Sequence, residues 1–173
     1  MGGEGTGGGK QFPINSQNWM PTPNMPDHGE IEKNPAELNY TVVGGGNASH
    51  VMVGMLSAAG ARVKVWASFK DEAARFKEGM ERNGGVQVTG VVEMKGTPAD
   101  VTKDPGQGLA DADGILMALP SFAVNALLPI VCAHCKDGAL IGYMPGQGGA
   151  DWAASVADSP VYKAIHQRDV VLF

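Results

Sequence analysis

Three consecutive glycines, Gly44, Gly45 and Gly46, follow the β-rich run Leu38 to Val43 and precede a stretch with helical periodicity. Between a strand and the head of a helix, glycines suit one kind of chemistry. They let backbone N–H groups approach a phosphate where side chains would stand in the way, and the helix N-terminus adds unpaired donors of its own. Gly44 is placed to make the tight turn and Gly46 to admit a pyrophosphate, with Gly45, Asn47 and Ala48 completing the expected cradle. Ser49 holds the third position of the pattern, where glycine or alanine is usual; it is small enough to keep helix and strand close. The plain alternative is a glycine-rich turn without a ligand.

A second group of residues bears on which dinucleotide such a cradle would take. An NAD site usually offers Asp or Glu to the adenosine ribose near the end of the second strand, roughly 20 residues after the glycines. Here that strand ends in Val65-Trp66-Ala67-Ser68-Phe69-Lys70, and no carboxylate precedes Asp71. Ser68 and Lys70 instead suit a ribose phosphate, so the expectation leans to NADP over NAD. In the plain alternative Lys70 is a solvated charge and Asp71 caps the next helix.

Other reactive residues point to less. Cys132 and Cys135 form a single CxxC with His134 between them. A structural zinc needs about four ligands and no second pair exists, whereas a thioredoxin-type CxxC opens a helix instead of closing one. They read as half-buried thiols at a helix end, and no metal site is expected. The run Gly7-Gly8-Gly9-Lys10-Gln11 is not a phosphate loop, because Glu4 stands where its first glycine belongs and Gln11 where Ser or Thr is required.

The elements that would position the cradle follow from periodicity. Leu38 to Val43 is a strand; the next helix carries Ala48, Val51, Met52, Met55 and Ala59 on one face and stops at Gly60. A second strand over Ala61 to Ser68 leads to a helix that buries Ala73, Phe76 and Met80 and ends at Gly84. A short β excursion then precedes a strand near Val101 and Thr102. An apolar strand through Gly114 to Leu119 is of the kind buried on both faces of a parallel sheet. Pro120 and Ser121 form the turn after it, with Ser121 a cap for a helix that Pro129 should kink or end. Leu140 to Tyr143 gives another strand, residues 150 to 168 read as helix around a break at Ser159-Pro160, and Asp169 to Phe173 starts a last strand. Alternating strands and helices of this kind make an α/β fold, a doubly wound parallel sheet of the Rossmann type. By that topology Leu119-Pro120-Ser121 lies by the adenosine or ribose half of the cofactor, and Pro145 to Gly149 by the nicotinamide.

Composition limits the partners. The chain has 173 residues, 43% of them hydrophobic, enough for one domain with a real core. Its 13 Lys and Arg against 18 Asp and Glu, without a basic cluster, make nucleic acid a poor partner. Gly114 to Ala133 carries no charge over 20 residues, yet Pro120, Ser121, Asn125 and Pro129 interrupt it, so no membrane span is expected. The start has no apolar signal region, which leaves the cytoplasm as the default, and its formal myristoylation pattern lacks a second membrane signal. Residues 1–38, rich in Gly and Pro without hydrophobic period, read as a disordered extension, and 39–173 as the nucleotide-binding domain.

Three blocks together carry a family resemblance: Gly44-Gly45-Gly46-Asn47-Ala48-Ser49-His50, Ala110 to Ala123 around the fourth predicted strand, and Gly142 to Gly149. The chain from residue 39 on resembles the cofactor domain of octopine/nopaline (opine) dehydrogenases. Glycerol-3-phosphate dehydrogenases look similar too, with a comparable tryptophan in the second strand. The resemblance implies a reductase that condenses an amino acid with a 2-oxo acid using NADH or NADPH. It also implies that the catalytic His and Asp belong to a following helical domain, absent from this chain, which would then be inactive alone with its catalytic residues unknown. His50 is accordingly expected to pack or to support the turn, and His134 and His166 to be surface or capping residues. A 2-oxo-acid reductase relative and a non-catalytic nucleotide-binding module are the competing readings.

Overall fold

The computed structural model describes residues 35–144, 160–165 and 170–172, all within the compact unit Lys33–Phe173. Most of the expected extension, residues 1–34, lies outside the described residues; Pro35–Glu37 form a 3-10 turn that leads into the first strand. The elements then alternate: β1 (Asn39–Val43), α1 (Asn47–Ala58), β2 (Arg62–Trp66), α2 (Glu72–Asn83), the short strands β3 (Val86–Val88) and β4 (Met94–Gly96), β5 (Asp100–Thr102), α3 (Pro105–Leu109), β6 (Gly114–Met117), α4 (Ser121–His134), β7 (Leu140–Tyr143), α5 (Pro160–Ile165) and β8 (Val171–Leu172).

Six strands form one parallel sheet in the order β5-β2-β1-β6-β7-β8, and β3 and β4 make a separate antiparallel hairpin. Val43 at the end of β1 is paired with Trp66 on one side and Met117 on the other. Side chains alternate across a strand, and here the alternation divides the core into two layers. Val42, Val63, Val65 and Val101 face α1 and α2, meeting Met52, Val53 and Phe76. Val43, Trp66, Ile115, Met117 and Ile141 face the other way, onto Leu109, Val124, Leu128, Val131 and Ala164 of α3, α4 and α5. Each fully buried side chain of this size contributes roughly 1.5–3 kcal/mol, so both faces need their helices. The doubly wound Rossmann-type sheet expected from the sequence is therefore present.

Local chemistry fixes several joints. Gly84 takes φ 64° and closes α2 in a Schellman turn, its N–H on Glu81 O and the Gly85 N–H on Met80 O. Buried Thr41 Oγ1 donates to Gly108 O at 2.6 Å, and Trp66 Nε1 donates to Lys103 O at 3.1 Å, pinning the turn that carries α3 to β1 and β2. Asp113 ties the start of the sheet together by accepting from Asn39 N–H at 2.9 Å and from Lys136 Nζ at 2.5 Å.

Three expectations need correction. The buried face of α1 is Ser49, Met52, Val53 and Gly54, with Val51 and Met55 exposed, because the hairpin packs beside the sheet and presses on Gly54 and Ser57. A Cβ on Gly96 would stand 2.6 Å from Gly54 O, which is why the close approach uses glycine from both sides. Pro129 does not end α4, which continues to His134. The carbonyl that Pro129 leaves without a donor belongs to Asn125, which is exposed, so water can serve it. Finally, Cys132 and Cys135 are fully buried thiols, not half-buried ones.

Candidate functional site

The carboxyl ends of β1, β2 and β6 lie side by side, and the turns that leave them enclose a cleft of about 580 Å³. The glycine turn Gly44–Gly46 forms its floor, Ser68, Phe69 and Glu72 one wall, and Ala118 to Pro120 with Phe122, Ala123, Ala126 and Leu127 the other. Each glycine has a different job. Gly44 takes φ 111°, and a Cβ there would be 2.9 Å from Leu119 Cδ2 and 3.1 Å from Ala118 O, so both its conformation and its neighbours demand glycine. Gly45 packs on Glu72, whose Cβ and Oε2 would lie 3.0 and 3.2 Å from an added Cβ. Gly46 caps α1 with extended backbone (φ −82°, ψ −175°) and has open space where a side chain would go.

The head of the 12-residue helix α1 thus opens onto the cleft with no side-chain cap on its first N–H groups. Donors at such a terminus, together with the helix dipole, favour an anion. Ser49 is fully buried behind the turn, and its Oγ has no hydrogen-bond partner among the described residues. His50 supports the turn from the outside, with Nδ1 2.9 Å from Gly46 O and its ring stacked on Phe76 at 4.1 Å. A carbonyl only accepts, so Nδ1 carries the proton.

Of the residues singled out in the sequence, Gly44, Gly45, Gly46, Ser68, Leu119 and Pro120 line the cleft. Asn47 is exposed at the first turn of α1, and Ala48 is half-buried against the core, so both take part through their backbone position at the helix head. Lys70 is not on the cleft lining: it takes φ 44°, its ammonium lies over the Phe69 ring at 5.0 Å, and its carbonyl accepts from Lys103 Nζ at 2.7 Å. Ser121 does not cap α4. Pro120 occupies the N-cap with no side-chain hydrogen bond, and Ser121 is the exposed first helical residue. Asp71 stands at the N-cap of α2 without a cap hydrogen bond and reaches Arg75 at 3.2 Å instead. His134 bonds Ile130 O at the end of α4, whereas His166 and the Pro145 to Gly149 turn lie outside the described residues.

Sequence reasoning missed Phe69, Glu72 and Phe122. Phe69 and Phe122 remain 59% and 82% exposed although they stand on opposite cleft walls. Glu72 was hidden by its distance from the end of β2; the turn over Phe69 and the start of α2 bring it back onto Gly45. A carboxylate in the first turn of a helix that follows the second strand is the signal that could have found it. Among the described residues no group of three or more His, Cys, Asp or Glu could hold a metal, and no helix is long and apolar enough to cross a membrane.

No family model matches the chain. Tauropine dehydrogenase of Arabella iricolor is 37% identical over 118 residues, covering 65% of this chain and 30% of that protein. Octopine dehydrogenase of Mizuhopecten yessoensis is 31% identical over 124 residues, covering 66% and 30%. Among solved structures, octopine dehydrogenase in complex with NADH and agmatine superposes with a TM-score of 0.58 at 27% identity, over 71% of this chain and 32% of that one. A ketopantoate reductase from Ralstonia eutropha, at 17% identity and TM-score 0.56, shares the fold. The chain spans about 30% of the length of the curated relatives it matches. In sequence and in fold, then, the chain is similar to the opine dehydrogenases over about a third of their length.

Proposed function

We propose that the cleft binds a reduced nicotinamide dinucleotide, and that the chain is the cofactor-binding part of an enzyme joining an amino acid to a 2-oxo acid. The observation that carries this reading is Gly46: an uncapped helix head, open extended backbone and empty space beside it, at the floor of a cleft between β1, β2 and β6. Those features fit a pyrophosphate, which brings negative charge and needs backbone donors without side chains in the way. The N–H groups of Gly46, Asn47 and Ala48 would hold it, and the buried Ser49 hydroxyl lies behind the same turn. Apolar walls with exposed Phe69 and Phe122 fit a heteroaromatic ring at one end. When bound, the cofactor supplies the hydride; the chain's own part is to bind it, orient it and keep water from its apolar walls.

Octopine dehydrogenase has been solved with NADH and pyruvate and with NADH and agmatine, which supports small-molecule substrates of the amine and 2-oxo-acid classes here. Of the two side chains that favoured NADP in the sequence, only Ser68 reaches the cleft wall. The preference for NADPH therefore loses half its support, and the reading covers either dinucleotide. Mixing the chain with NADH tests the proposal: nicotinamide fluorescence should rise on binding and fall again when ADP-ribose competes. An unchanged emission at high protein concentration would remove the reading.

A further inference from the structure

The cleft wall that carries Phe69 rests on a strained corner. Phe69, Lys70, Asp71 and Glu72 form a turn closed by the Glu72 N–H on Phe69 O at 3.0 Å. Lys70 is its first corner and takes φ 44°; every other described residue with positive φ is a glycine. Turns with positive φ at that corner are dominated by glycine, asparagine and aspartate, because a Cβ there crowds the backbone. A lysine keeps such a conformation only where its surroundings over-determine it.

Those surroundings converge on one side chain. Lys103 Nζ, from the loop after β5, donates to the Lys70 carbonyl at 2.7 Å. The lysine starts from a fixed backbone: its own carbonyl accepts from Nε1 of the buried Trp66 at 3.1 Å, and the preceding carbonyl, Thr102 O, accepts from Ala67 N–H at 3.0 Å. Lys103 is thus anchored to the end of β2, where the chain departs for the turn. On the cleft side, the corner places Ser68, Phe69 and Glu72 on the lining and leaves Lys70 off it. Phe69 is 59% exposed, so the backbone of the turn, more than packing, sets where its ring points.

Resting on the dinucleotide reading above, we infer that Lys103 is a positioning residue for the cofactor: its ammonium holds the left-handed corner at Lys70, and that corner holds the Phe69 ring on the cleft wall. Lys103 is itself off the cleft lining, so it acts through the turn. A cation that drew in phosphates by its charge alone would matter whichever residue stood at position 70. One that offsets strain at Lys70 is needed only while the strain exists, and a double substitution separates the two roles.

Titration of the parent chain, Lys103→Met, Lys70→Gly and the double variant with NADH and with nicotinamide mononucleotide tests the inference. Lys103→Met should weaken NADH about fivefold, the factor expected from the net loss of one exposed hydrogen bond. Lys70→Gly adopts the corner without strain and should bind NADH within about twofold of the parent. In that background Lys103→Met should change NADH binding by less than about twofold. The mononucleotide, which lacks the adenosine half, should bind all four proteins alike, and thermal melts check that each is folded. A Lys103→Met chain that binds NADH as the parent does overturns the inference while the dinucleotide site stands. So does an equal loss in both backgrounds, or an equal loss for the mononucleotide. A parent chain that binds no NADH overturns the dinucleotide reading and this inference together.

Discussion

Replacing Gly46 by valine should separate ligand binding from folding. The residue sits at the N-cap of α1 with extended backbone open to any amino acid, and an added Cβ meets no atom within 4 Å. On the folding side only the N-cap preference for glycine over a branched residue is lost, about 1 kcal/mol. In a domain of this size that lowers the melting temperature by about 4 °C. The loss on the binding side is larger, because the valine methyls fill the space through which a phosphate would reach the N–H groups. Losing about two charge-assisted hydrogen bonds at roughly 1.5–3 kcal/mol each raises the Kd for NADH by about 100-fold or more. Scanning calorimetry and titration calorimetry on the same preparations read both quantities. A variant that binds NADH as tightly as the parent would show that the three glycines are only a turn, and one that fails to fold would show that the open space is filled in solution.

Other substitutions probe neighbouring parts of the argument. Gly44→Ala should cost about 1–3 kcal/mol in urea denaturation, because φ 111° and the Leu119 and Ala118 contacts leave no place for a Cβ. Gly96→Ala should cost a similar amount, about 1–3 kcal/mol, by forcing the hairpin off α1, and a denaturation midpoint equal to the parent's would contradict that packing. Phe69→Ala and Phe122→Ala should each weaken NADH about tenfold, as stacking of a base on an aromatic ring is worth about 1–3 kcal/mol, while binding of nicotinamide mononucleotide stays the same. Tyr143 gives a pH signature: burial, with a smaller contribution from Cys132, pushes its hydroxyl up from 10.0 to about 12. The folded state therefore holds this proton while the unfolded chain loses it, so stability is intact below pH 10 and falls as pH rises toward 12. Tyr143→Phe should flatten that part of the stability curve, and because the hydroxyl has no partner among the described residues, it should not destabilise the protein at neutral pH.

The sheet was legible because its strands obey simple rules. The continuous apolar run at Gly114 to Met117 and the β-rich runs ending at Val42, Val43 and at Val65, Trp66 assign strands without help from the rest of the chain, whereas their division between the two core layers is a result of the structure. Gly84 marked the end of α2 for a local reason, its left-handed conformation. The face of α1 was not legible, since its apolar residues surround most of the helix and the choice between Met55 and Gly54 depends on a hairpin some 35 residues away in sequence. The site divides in the same way. The glycine turn was readable because its requirement is a backbone one, written in three adjacent residues. The second wall was not, because Lys70 turns outward in a left-handed conformation and Glu72 turns inward, and nothing within the run Ser68 to Glu72 fixes that order. Only the packing of α2 against Gly45 does so.

The most direct test is a crystal structure of the chain grown with NADH. The account predicts the pyrophosphate on the N–H groups at the head of α1 and the adenine ring between Phe69 and Phe122. A cofactor bound elsewhere on the chain, or one whose phosphates avoid the glycine turn, would contradict it.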